Sequence, residues 1–156
     1  MGLDMYLYAK TSFVDKEWQD EERNAIHRKL KETLDCDDFI CKNNLGSIVT
    51  SIEVAYWRKA NAIHAWFVSE CQGGVDDCRS AYVSREKLNE LLEVCRIVNA
   101  DHQEADNLLP SQSGFFFGST EYDEWYFGDI EETVKQLESV LKNTPENWWF
   151  EYQSSW

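Results

Sequence analysis

Basic residues are scarce in this 156-residue chain: 15 Lys and Arg stand against 29 Asp and Glu, leaving a net charge of −14 with histidine neutral. A field of that sign repels phosphate backbones, which cationic proteins hold by releasing counterions, so no direct contact with nucleic acid is expected. Histidine is sparse as well. His27, His64 and His102 are the three, and none sits in a Ser- or Cys-nucleophile signature, which sets hydrolase triads aside. No apolar run approaches the roughly 18 residues of a membrane span. The opening MGLDMYLYAK lacks a basic segment followed by a long apolar core, so no signal peptide is expected. The five cysteines, at 36, 41, 71, 78 and 95, are odd in number and contain no pair separated by two residues. Reduced thiols in a cytoplasm fit that usage. No EF-hand spacing and no Gly-rich phosphate loop occurs, so no metal and no cofactor is expected.

Apolar and aromatic residues are plentiful: 43% of the chain is hydrophobic and 14% aromatic, enough to offset the entropy of ordering. The length suits one acidic domain over 1–156. Leu3, Met5 and Leu7 alternate with Asp4, Tyr6 and Tyr8, which predicts a strand over 3–9. A charged helix is expected within 15–34, with Ile26, Leu30 and Leu34 at spacing four. The polar run 36–46 follows, then a β-branched strand over 48–54. Tyr56, Ala60, Ile63 and Phe67 form a helical stripe, so 56–71 reads as an amphipathic helix ended by Gly73-Gly74.

A short strand at 81–83 precedes Ser84, an N-cap for a helix with Leu88, Leu91, Leu92, Cys95 and Val98 inward. Residues 99–113 read as a long polar loop. GFFFG at 114–118 reads as a buried strand closed by glycines. Asp129 and Glu132 have capping-box spacing for a helix with Ile130, Val134, Leu137 and Leu141 inside, stopped by Pro145. The stretch 148–152 is a last strand, with SSW left exposed. Irregularly mixed strands and helices, with no repeat or linker, predict an α+β fold: a small, mostly antiparallel sheet against three to four helices.

Two blocks carry candidate chemistry. In Tyr56–Phe67, two cations, an amide and an imidazole lie among large rings, and helical spacing puts Trp57, Asn61 and His64 on one face. With Arg58 and Lys59 they would suit a nucleotide or phosphorylated metabolite, rings stacking on a base and cations holding phosphate. The competing reading is a core helix with a satisfied histidine. In SQSGFFFGSTEYDEWYFGD, Glu121, Asp123 and Glu124 lie among Tyr122, Trp125 and Tyr126, a set suited to a partner's Lys or Arg with the rings as anchors. The acidic groups elsewhere are dispersed; solubility, a cationic partner and imitation of a polyanion are all consistent with them.

MGLDMYLY, YWRKANAIHAWF, LLPSQSGFFFGSTEYDEWY and FEYQSSW resemble a family of small, largely uncharacterised acidic proteins of bacteriophages and prophages, with 11–45 the least similar part. The resemblance implies a setting in the host bacterial cytoplasm and brings no chemistry with it. Together these features predict a non-enzymatic accessory protein of the phage type. It would bind and inhibit a basic host partner, such as a nucleic-acid-binding defence enzyme or CRISPR effector, through acidic and aromatic surface. The alternative is a small-ligand protein or minor enzyme with a pocket between 56–67 and 114–126. Homodimerisation is left open.

Overall fold

The computed structural model describes residues 2–14, 18, 20–36, 46–114 and 116–156. The elements run β1 (Asp4–Phe13), α1 (Glu21–Leu34), β2 (Ile48–Arg58), α2 (Asn61–Cys71), β3 (Ala81–Val83), α3 (Arg85–Ala100), α4 (Ala105–Leu108), α5 (Glu124–Asn143) and β4 (Trp149–Ser155). The fold is α+β, with a four-stranded antiparallel sheet in the order β2-β1-β4-β3. No helix among the described residues is long and apolar enough to cross a membrane. The chain divides into two compact units, Met1–Ala9 with Ile52–Trp156 and Lys10–Ser51.

In the larger unit, the alternation read at the start of the chain is the sheet's buried face. Leu3, Met5, Leu7 and Ala9 are buried while Asp4, Tyr6 and Tyr8 are only partly so. Phe150 and Tyr152 of β4 join them, and β4 pairs with β3 through Val83↔Phe150 and Ala81↔Tyr152. Ser154 is buried as well, so the closing SSW is exposed only from Ser155 onward. Helix α3 follows its sequence pattern: Ser84 Oγ accepts from Lys87 N at 3.2 Å, and Leu88, Leu91, Leu92, Cys95 and Val98 are all buried.

Several expectations change. The strand expected to end at 54 continues to Arg58, and the helix starts at Asn61 rather than Tyr56. The strand alternation persists through exposed Tyr56, buried Trp57 and exposed Arg58, so Tyr56 never joins the stripe of α2. Gln136 of α5 fastens this end of β2, donating to the Tyr56 carbonyl at 3.0 Å and accepting from its amide at 2.9 Å. Helix α5 begins at Glu124, because Asp123 Oδ1 accepts from Trp125 N at 3.0 Å and Tyr126 N at 3.1 Å, capping the helix well before the Asp129–Glu132 pair. Its buried face is Tyr126, Ile130, Thr133, Leu137 and Val140; Val134 and Leu141 sit at its margin.

The stretch expected as loop over 99–113 holds the end of α3, a 3-10 turn (His102–Glu104) and α4, pinned by buried Ala105 and Leu109. No strand forms in the described part of 114–118; Phe115 lies outside the described residues. Phe117 N instead donates to Gly114 O at 3.1 Å, folding the Phe117 ring over Gly114, where a Cβ would meet it at 2.5 Å.

In the smaller unit, α1 buries polar rather than apolar residues. Asn24 and His27 are buried while Ile26 and Leu34 are exposed. His27 Nε2 lies 2.8 Å from Gly46 O, and Arg23 donates to Ser12 O at 2.5 Å with its guanidinium over the Phe13 ring. Asp20 caps the helix through Arg23 N, so α1 starts at 21. The polar connection read at 36–46 lies largely outside the described residues.

Candidate functional site

The junction between β2 and α2 is a sharp turn at Lys59, whose φ of 62° is left-handed and costs a non-glycine residue roughly 1 kcal/mol. Lys59 N donates to Leu3 O at 2.8 Å, and Asn61 N returns to Lys59 O at 2.8 Å, so the strained residue is held from both sides. Gly118 (φ 90°) passes beside it, and a Cβ there would lie 3.5 Å from that of Lys59. The N-cap position of α2 is Ala60, which offers no side-chain acceptor, and the first turn carries no acidic residue. The start of α2 therefore presents positive helix-end charge without a capping side chain.

Asn61 ties this junction to the 111–119 segment. Its amide donates to Phe117 O (3.2 Å) and Ser119 O (2.8 Å), and its carbonyl accepts from Gln112 N (3.0 Å). Between the junction, this segment and α5 lies a cleft of about 340 Å³. Arg58, Lys59 and the first turn of α2 line one side; Ser119, Glu121, Asp123, Trp125, Tyr126 and Asp129 line the other. The charges face without pairing. Arg58 Nε reaches only Asp4, at 3.8 Å, and that carboxylate already accepts from the Tyr56 hydroxyl. Lys59 makes no ion pair among the described residues. Asp123 is committed to capping α5. Asp129 is half-buried, and burial together with the neighbouring Asp123 pushes its carboxyl up to about 6. Trp125 stands 75% exposed at the lip. Tyr126 turns away, donating to Leu109 O at 2.6 Å, and its burial raises the phenol above its usual range.

The residues singled out from the sequence separate into two groups. Arg58, Lys59, Asn61, Glu121, Asp123 and Trp125 share the cleft. Trp57 points the other way, as a neighbour of Arg58 on a strand must, and its indole donates to Thr133 Oγ1 at 2.9 Å in the core. Tyr122 is held outside the cleft, donating to Asp106 at 2.8 Å and packing edge-on against Tyr126. Glu124 is exposed on the first turn of α5.

His64 is fully buried and no wall of the cleft. Its Nδ1 lies 2.8 Å from Tyr152 Oη and its Nε2 2.9 Å from Asp76 Oδ2. A carboxylate only accepts, so Nε2 carries a proton; in the neutral ring Nδ1 then accepts from Tyr152. Phe117 closes one side of the imidazole at 5.0 Å, and Trp156 Nε1 donates to the other Asp76 oxygen at 3.1 Å. Burial raises the Tyr152 phenol well above its ordinary value.

Asp129 is read from the sequence only as a cap, not as a cleft residue. Its signal is helical spacing: once α5 starts at 124, residues 125, 126, 129 and 130 fall on one side. Among the described residues no group of three or more His, Cys, Asp or Glu is placed to hold a metal ion. The free thiols include Cys95, raised to about 12 by burial, and Cys71, raised to about 11 chiefly by burial, so neither is a poised nucleophile. Comparison with known protein families, curated proteins and solved structures found no match.

Proposed function

We propose that this protein binds a small anionic ligand with a flat ring, of the nucleotide or phosphorylated-metabolite class, in the cleft between β2–α2 and α5. One observation carries the reading: two cations and an uncapped helix start face an exposed tryptophan across about 340 Å³ of open space. That volume falls within the usual range of small-molecule sites, roughly 300–1,000 Å³. Each part has a use. Arg58 and Lys59 supply charge-assisted hydrogen bonds to phosphate, the start of α2 adds backbone donors, and Trp125 offers a face for stacking worth about 1–3 kcal/mol. Asn61 shapes the wall rather than touching the ligand, since its described hydrogen bonds tie it to the 112–119 backbone.

The test is tryptophan fluorescence against a panel of nucleoside mono-, di- and cyclic phosphates and sugar phosphates. Quenching is expected in wild type and is reduced in Trp125→Leu. Silence across the panel overturns the reading.

A second reading, an accessory protein of the phage type that blocks a basic host partner, is favoured by the same lip. Glu121 and Glu124 make no ion pair among the described residues and flank exposed Trp125. On α2, α3 and α5, by contrast, Glu70, Glu90, Glu93, Glu131 and Glu138 are occupied by Lys87, Arg96 and Lys135. Partner capture that weakens steeply with salt and is lost in Glu121→Gln/Glu124→Gln supports it; salt-insensitive capture counts against it.

A further inference from the structure

The Asp129 carboxyl is an anomaly in a cleft that accepts anions. It is half-buried, faces the ligand space, and has neither hydrogen bond nor ion pair for its side chain among the described residues. The groups around it are few. Asp123 and Glu121 approach from the 118–123 segment, Arg58 and Lys59 from the β2–α2 junction, and Tyr126 from its own helix. Tyr126 is turned to Leu109 O, and neither cation forms an ion pair with Asp129 among the described residues. An anion seated on Arg58 and Lys59 enters between them and Asp129, bringing another negative charge towards two neighbouring carboxylates.

Resting on the reading of the cleft as an anion site, we infer that Asp129 takes up a proton from solvent when the ligand binds and donates that O–H to an oxygen of the anion. The balance is simple: one proton leaves a buffer acid, the Asp129 carboxylate becomes a carboxylic acid, and no bond of the ligand changes. Protonation removes the repulsion and converts Asp129 from an obstacle into a hydrogen-bond donor. The group is poised for this, because burial and Asp123 already hold it near 6. Asp129 is thereby a specificity residue: its acid form favours ligands that present an acceptor oxygen on that side.

Calorimetric titration with cyclic AMP tests this, since a phosphodiester keeps one charge between about pH 5.5 and 8.5 and adds no proton of its own. At about pH 7, measured in two buffers of different ionisation enthalpy, wild type is expected to absorb between about half and one proton per site. Affinity should fall up to about tenfold per pH unit above neutrality. Asp129→Asn should bind with no buffer dependence, a flatter pH profile, and tighter than wild type at about pH 8. Equal heats in both buffers for a wild type that binds overturn the proton step and leave the cleft intact. No heat from wild type or from Asp129→Asn at either end of the pH range overturns the anion site and this inference with it.

Discussion

Two polar constellations grow from the same stretch of chain, and they have opposite characters. The cleft around Arg58, Lys59 and Asp129 keeps charges facing each other without contact. The node at His64, one helical turn beyond Asn61, leaves nothing open: each ring nitrogen has its partner, and Asp76 is engaged through both oxygens. Both hold residue types common in catalytic sites. What separates them is satisfaction. A buried polar group whose partners are all supplied by the fold contributes to a specific core, whereas unpaired charge around a cavity is available to something else.

Breaking the closed node should cost the most. His64→Ala removes a fully buried ring and strands the Tyr152 hydroxyl and Asp76, so a loss of about 3–4 kcal/mol is expected in denaturant unfolding. A loss below about 1 kcal/mol would mean that the node is not structural. Asn61→Ala comes next, at about 2 kcal/mol, because three backbone groups of 112–119 lose their partner. It should weaken ligand binding as well, by loosening the wall that carries Ser119 and Glu121.

The open cleft should answer in the reverse sense. Arg58→Ala with Lys59→Ala is expected to leave stability within about 1 kcal/mol while reducing affinity about 10- to 100-fold. Comparable losses in both measurements would erase the distinction between the regions. The smallest effect is on Asp129. Its carboxyl is raised in the fold from 3.8 to about 6, so its contribution favours folding below about pH 4 and is lost as pH rises through about 6. Asp129→Asn should therefore stabilise the protein above about pH 6, by about 1 kcal/mol once partial exposure is discounted, with the gain vanishing in acid. Unfolding midpoints across pH measure it directly.

The sequence shows most of the fold because the signals are local. The alternation of 3–9 and the Ser84 cap with the face of α3 read correctly, as does the inward placement of Ile130 and Leu137 on α5. The errors fall where two local signals compete. Residues 56–67 satisfy a helical stripe through Tyr56, Ala60, Ile63 and Phe67 and also a strand alternation through Ala55 and Trp57; the left-handed backbone of Lys59 decides between them, and residue type gives no sign of it. Asp129 has real capping-box spacing, but Asp123 caps first, which turns a cap residue into a cleft residue. The cleft itself joins segments about 60 positions apart. Its two walls were recognisable as unusual, whereas the separation of Arg58 from His64 depended on where the helix began.

The most direct test of the account is a fluorescence titration of wild type, Trp125→Leu and Arg58→Ala/Lys59→Ala with the phosphate-bearing panel. A saturable wild-type signal is expected, much reduced in the first variant and shifted to at least tenfold higher concentration in the second. A wild-type response that both variants reproduce unchanged would place binding elsewhere and contradict the cleft as the functional site.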